Sequence, residues 1–173
     1  TYKNKSQALK NCRKVMKETK CDGIKLEGGR NINEIVKHLI KHKIPVMGHI
    51  GITPQSVRGK FRYKGKSEIE KKNLLKDAKS LEDAGVFAVV LECIERIASK
   101  EITESIKIPT IGIGSSNFCD GQILVTDDLL GLTDTKIKFV KKYADLKINM
   151  RKAVKKFKLD VKKGSYPSIK YSY

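Results

Sequence analysis

The chain has 173 residues, 39% of them apolar and 32% charged, and carries a formal charge of +18 from 37 Lys and Arg against 19 Asp and Glu. That length encloses a real core, and the composition is globular rather than disordered. No stretch reaches the roughly 18 apolar residues of a membrane span, and Thr1-Tyr2-Lys3-Asn4-Lys5-Ser6 lacks the apolar segment of a secretory signal, so membrane, secreted-scaffold and fibrous classes are set aside.

In chain order, Ala8, Leu9, Cys12, Val15 and Met16 fall at helical spacing over 6–20, with Ser6 the expected N-cap. A short strand over 24–26 ends in Glu27-Gly28-Gly29, and residues 31–43 return to helical spacing through Ile32, Ile35, Val36, Leu39 and Ile40. A second strand, 45–48, leads into His49-Ile50-Gly51-Ile52-Thr53-Pro54-Gln55-Ser56, and the basic residues 57–67 read as a loop. A helix from Ser67 to Ala84 turns Ile69, Leu74, Leu75, Ala78 and Leu81 inward. The run over 86–91 is the clearest strand, apolar throughout and hence covered on both faces. A helix over 94–106, strands over 109–113 and 122–125, and basic amphipathic helices around 136–144 and 148–163 complete the reading.

Repeated α–β units with apolar strands predict a parallel sheet, either doubly wound and open or closed into a barrel. Lys25 and Glu27, then His49, then Glu92, then Gly114-Ser115-Ser116 each follow a strand. Several strands delivering chemistry to one end favour a barrel with its site at the C-terminal mouth. A dinucleotide-type sheet would place a GxGxxG after the first strand, whereas Gly112-Ile113-Gly114 comes late and lacks the third glycine.

Charge is uneven: residues 1–80 are net +14, residues 81–133 net −6 and residues 134–173 net +10. Lys outnumbers Arg 31 to 6, and phosphate recognition favours the Arg fork, so nucleic-acid binding is not expected as the main function. Cys12, Cys21, Cys93 and Cys119 form no CxxC pair, which argues against zinc and disulfides and for a cytoplasmic location. Cys93 reads as a buried small hydrophobe. His38 and His42, four apart on a Lys-rich helix face, make a weak metal pair.

Lys25 and Glu27 alternate with Ile24 and Leu26 and so share one strand face, where an uncompensated charge is costly. A rim salt bridge would explain them, as would a lysine that anchors a carboxylate beside a metal-side glutamate. Glu92 ends the most apolar strand, surroundings that favour its neutral form and suit a proton-transfer base. His49 reads as a site group or as a hydrogen-bonded core histidine.

The peptides Lys25-Leu26-Glu27-Gly28-Gly29, Gly48 to Ser56, Leu91-Glu92-Cys93, Ile108 to Gly114, Cys119 to Val125 and Asp128-Leu129-Leu130-Gly131-Leu132, in this order, closely resemble the ketopantoate hydroxymethyltransferase family, from about Ser6 to Pro167. The resemblance implies a (β/α)₈ TIM-type barrel in a homo-oligomer, usually a decamer, working in pantothenate and coenzyme A biosynthesis. It implies Mg²⁺ as cofactor and 5,10-methylenetetrahydrofolate as co-substrate for hydroxymethylation of 3-methyl-2-oxobutanoate, with no nucleic-acid or membrane partner. By motif position Glu92 is the proton acceptor, Lys25 contacts the 2-oxo acid, His49 lines the same pocket and Glu27 belongs to the metal environment.

Gly114-Ser115-Ser116 stands where the family usually has Gly-Ala-Gly, Asp127 where it has histidine, and the loop 57–66 is shorter. Five strands are counted where a barrel of about 250 residues has eight. The chain is therefore expected to be a single incomplete barrel domain over 1–173, with a helical extension over 136–173. The first three units, which in the family bring two metal-binding aspartates, would lie ahead of Thr1. On that expectation the chain alone is inactive, and a non-catalytic assembly or binding module is the alternative to the enzyme.

Overall fold

The computed structural model describes residues 2–55 and 62–173, so residues 57–61 of the basic loop expected over 57–67 lie outside the described residues. The chain divides into two compact units, residues 1–123 and residues 124–173.

The first unit alternates helix and strand: α1 (Lys5–Thr19), β1 (Ile24–Glu27), α2 (Asn33–Lys41), β2 (Val46–Gly51), α3 (Glu68–Ala84), β3 (Ala88–Glu92), α4 (Arg96–Ser105), β4 (Thr110–Ile113) and β5 (Gly121–Gln122). The strands pair in parallel in the order β1-β2-β3-β4-β5, each beside its neighbour in sequence. Right-handed crossovers between successive neighbours put every connecting helix on the same face. The core shows this: Ala8 and Cys12, Val36 and Leu39, Leu74, Ala78 and Leu81, and Ala98 and Ile102 from the four helices join Leu26, Val46, Ile50, Val89 and Leu91 from the strands in one cluster. A doubly wound sheet would carry helices on both faces. The unit is therefore a segment of a TIM-type barrel, as the strand-end pattern predicted.

The opposite face carries the alternate residues. The strand register sets Glu27 beside His49 and His49 beside Val90, and one step further along sets Gly51 beside Glu92 and Glu92 beside Ile113. Ala88, Val90 and Ile113 are buried on this face, as is His49.

Some local expectations give way. The first helix starts before Ser6, because the Asn4 side chain accepts from the Gln7 N–H at 2.8 Å and takes the cap. Ile69 is 74% exposed: it lies five residues before Leu74, about 140° around the helix from the inward stripe. Cys93 is half-buried rather than core, in a left-handed conformation (φ 50°) just past β3. The last strand is only Gly121–Gln122, because past Ile123 the backbone leaves the sheet and winds into a single helical turn, α5 (Thr126–Leu129).

In the second unit α6 (Leu146–Lys162) matches the expected helix, although none of its residues is buried. The helix expected over 136–144 does not form. Its backbone pairs elsewhere: the Tyr143 N–H donates to the Leu129 carbonyl at 2.8 Å and the Leu146 N–H to that of Leu130 at 3.0 Å. Those bonds satisfy the carbonyl end of α5, which a free helix would leave open.

Candidate active site

Three adjacent strand ends build the site. Glu27 ends β1, His49 lies within β2 and Glu92 ends β3, all on the face away from the helices. Lys25 shares the Glu27 face, two residues earlier, and is exposed on a strand whose other edge is unpaired among the described residues. The structure thus brings together all four residues singled out by sequence, although no rim salt bridge joins Lys25 to Glu27.

Glu27 is 7% exposed, and a buried carboxylate needs donors. Gln55 supplies two: its backbone N–H donates to Oε2 at 3.0 Å and its Nε2 to Oε1 at 3.3 Å. The Tyr2 hydroxyl donates to the Glu27 carbonyl at 3.2 Å. Beside Glu27 lies a cavity of about 250 Å³ bounded by Gly28, Asn31, Thr53 and Asp77. A larger one of about 500 Å³ runs along the open edge of β1, bounded by Lys25, Ile24, Tyr2, Val15 and Gln55.

His49 has no exposure, and its Nε2 is 3.1 Å from Glu92 Oε2. Neither ring nitrogen makes a hydrogen bond of good geometry to the protein. Burial first, then the Lys25 charge, depress the His49 pKa, with Glu27 and the Ile52 backbone opposing, which favours the neutral ring. Burial raises the Glu92 pKa, the Lys25 charge pulls it back and Glu27 pushes it up again. A carboxylate with its basicity raised this way is suited to removing a proton near neutral pH.

The Glu92 turn depends on Gly51. With φ 100° and a would-be Cβ only 2.1 Å from the Glu92 carbonyl oxygen, no larger residue fits there. That contact lets the Ile52 N–H reach the same oxygen at 2.9 Å. Cys93, next to Glu92, has its thiol pKa pushed up to about 11 by burial and by the Glu92 charge, which leaves it inert as a nucleophile.

For Mg²⁺, Glu27 provides hard oxygen donors, and the two hydrogen bonds from Gln55 leave its carboxylate further lone pairs. Among the described residues no group of three or more His, Cys, Asp or Glu side chains could hold a metal. One carboxylate fits the habit of Mg²⁺, which takes one or two and fills its shell with water and substrate oxygens. His38 and His42 stack with ring centroids 4.4 Å apart but gain no third donor. All four cysteines are free, and no helix among the described residues is long and apolar enough to cross a membrane.

Sequence reasoning named neither Gln55 nor Gly51 as site residues. Their only signal was membership of the unusual peptide that follows β2.

The family model described as ketopantoate hydroxymethyltransferase matches residues 1–169. The chain is 54% identical over 173 residues to the 3-methyl-2-oxobutanoate hydroxymethyltransferase of Pelagibacter ubique, a match spanning all of this chain and 67% of that protein. It is 49% identical over 170 residues to the enzyme of that name from Clostridium botulinum, spanning 96% of this chain and 62% of the other. Over 176 residues it is 49% identical to that of Helicobacter pylori, spanning all of this chain and 65% of the other. The chain thus covers about three fifths to two thirds of these relatives, and with four strand-end residues placed on one sheet face by motifs in family order, it belongs to the ketopantoate hydroxymethyltransferase family.

Proposed function

We propose that the chain provides the proton-transfer half of an active site that adds a hydroxymethyl group, taken from 5,10-methylenetetrahydrofolate, to 3-methyl-2-oxobutanoate in pantothenate biosynthesis. One observation carries the reading: Glu92, its basicity raised by burial, faces a neutral buried His49 at 3.1 Å, with Lys25 and Glu27 on the same sheet face. In this reading Lys25 holds the substrate carboxylate and Glu92 takes the C3 proton. The carbon nucleophile so formed bonds to the methylene carbon, water supplies the hydroxyl oxygen, and the carbon–nitrogen bonds to the folate break to release tetrahydrofolate. His49, buried 3.1 Å from the Glu92 carboxylate, lines the same pocket behind it. Glu27, held by Gln55, serves the Mg²⁺ environment. When bound, Mg²⁺ would polarise the 2-oxo acid as a Lewis acid. The working protein is a cytoplasmic homo-oligomer, decameric in the family.

The test joins this chain to the N-terminal portion of the Pelagibacter ubique relative and follows deuterium washout from C3 of the oxo acid with Mg²⁺ present, then hydroxymethyl product with the folate added. Washout and product together are the expected result. A folded, oxo acid-binding chimera that shows neither would instead support the non-catalytic module.

A further inference from the structure

His38 and His42 take no part in the site at the strand ends. His38 lies in the last turn of α2 and His42 caps it, four residues on, so the two side chains share one helix face. Their ring centroids are 4.4 Å apart and the ring planes are tilted by 51°. His42 Nδ1 is 2.8 Å from the His38 backbone carbonyl oxygen. A carbonyl only accepts, so Nδ1 carries the hydrogen, and in the neutral ring Nε2 is left with its lone pair free. Metal-ligating histidines are commonly held in this way, one ring N–H donated to a carbonyl and the other nitrogen turned to the ion. The His38 ring makes no hydrogen bond among the described residues. Both side chains are half-exposed, so an ion reaches them from solvent and the rings can turn onto it.

We propose that His38 and His42 form a bidentate surface site for an imidazole-preferring divalent cation (Ni²⁺, Cu²⁺ or Zn²⁺), with water completing the shell. Imidazole suits these ions, whereas Mg²⁺ takes oxygen ligands, so the site differs in kind from the Glu27 environment. The carbonyl end of a helix carries partial negative charge, which favours a cation over this turn. Burial first, then His42, Lys5 and Lys41, hold the His38 pKa below its ordinary 6.5, which keeps the neutral, ligating ring populated at neutral pH. The same lysines oppose the ion by repulsion, Lys5 less so because Glu34 pairs with it at 2.9 Å. Glu34, one turn before His38, is taken up by that pair, and no third ligand is at hand among the described residues. The ion is thus held at two points, joining the last turn of α2 to its cap. An ion bound by the folded chain stabilises it by mass action.

The test uses the full chain and Ni²⁺, which spares the four free cysteines the oxidation that Cu²⁺ would cause. The chain has three histidines, so NMR of the imidazole rings can follow each one, and paramagnetic Ni²⁺ broadens the rings that bind it. The expected result is saturable uptake of a single ion by calorimetry, broadening of His38 and His42 with His49 left sharp, and a higher urea midpoint. His38→Ala and His42→Ala should each abolish the uptake and the midpoint shift, and Mg²⁺ in place of Ni²⁺ should produce neither. Uptake that does not saturate, or that survives either substitution, overturns the proposal. So does broadening of one ring alone, the mark of a lone surface histidine, or uptake with both rings sharp, the mark of a cysteine ligand. The broadening is read on the unsubstituted chain and decides the proposal even where a variant fails to fold.

Discussion

His49 Nε2 approaches Glu92 Oε2 to 3.1 Å, and the histidine has no exposed surface while the glutamate side chain keeps 19% of its own. Burial acts on the two groups in opposite senses, lowering the pKa of the base and raising that of the acid, so both are pushed towards their neutral forms. The partially open glutamate can exchange protons with a ligand, whereas the ring can only offer a hydrogen bond from behind it.

Replacing Glu92 by Gln keeps size and polarity and removes the base. In the completed enzyme, kcat should fall about 10²–10⁴-fold while affinity for the oxo acid stays close to that of the parent. Deuterium washout at C3, measured by NMR, is the direct readout, and washout at the parental rate would exclude Glu92 as the base.

The His49 shift makes a separate claim about stability and pH. Unfolded, His49 titrates at its ordinary 6.5, and folded it titrates lower. Between those values the unfolded chain binds the extra proton, so stability is full above about 6.5 and is lost as pH falls through the window. Glu92 works the other way: its folded pKa lies above the ordinary 4.5, so its contribution is present at low pH and fades as pH rises through the raised value. In a Glu92→Gln background, where the opposing contribution is gone, urea midpoints of the chain from pH 5 to 8 should therefore decline below about 6.5. His49→Gln should flatten that decline, and an unaltered slope would assign it to other groups.

Much of this was legible in advance because burial leaves a pattern. Ala88 to Leu91 is covered on both faces and reads as a strand without help, although Phe87, counted in the same run, is 48% exposed, and Leu74, Ala78 and Leu81 betray the inward side of α3. Strand-end chemistry was equally visible in Lys25, Glu27, His49 and Glu92. The partners of those groups were not. Gln55 meets Glu27 across 28 positions and Ser115 meets Ile94 across 21, and a polar loop residue gives no periodic signal of such pairings. Residues 136–144 have helical spacing, yet the Tyr143 N–H goes to the end of α5, a tertiary choice that local pattern does not encode.

Gly51 is the position where a single methyl should do most harm. At φ 100° with the Glu92 carbonyl oxygen 2.1 Å from the would-be Cβ, Gly51→Ala meets conformational strain and a backbone clash together. Strain of that kind alone costs about 1–3 kcal/mol, and displacing Glu92 would also break the Ile52 hydrogen bond, at about 1 kcal/mol. A denaturation midpoint within error of the parent would show that the turn relaxes more freely than its packing indicates.

Lys25 tests the electrostatics of the site as a whole. It is exposed, yet its charge depresses the pKa of both His49 and Glu92. A lysine that holds the substrate carboxylate contributes a charge-assisted bond of about 1.5–3 kcal/mol, which is roughly a 10- to 100-fold change in affinity. Lys25→Ala in the completed enzyme should raise KM for the oxo acid by that factor. It has a second, opposite-looking consequence. Without the ammonium, Glu92 loses a favourable charge and its pKa climbs further, so the acid limb of the kcat–pH profile should move to higher pH while the plateau rate changes less. Lys25→Arg, which keeps the charge but not the compact ammonium, should hold the limb in place and still weaken binding. An unchanged KM in Lys25→Ala would remove the residue from substrate binding, and an unshifted acid limb would mean that its charge does not reach Glu92 in the working enzyme.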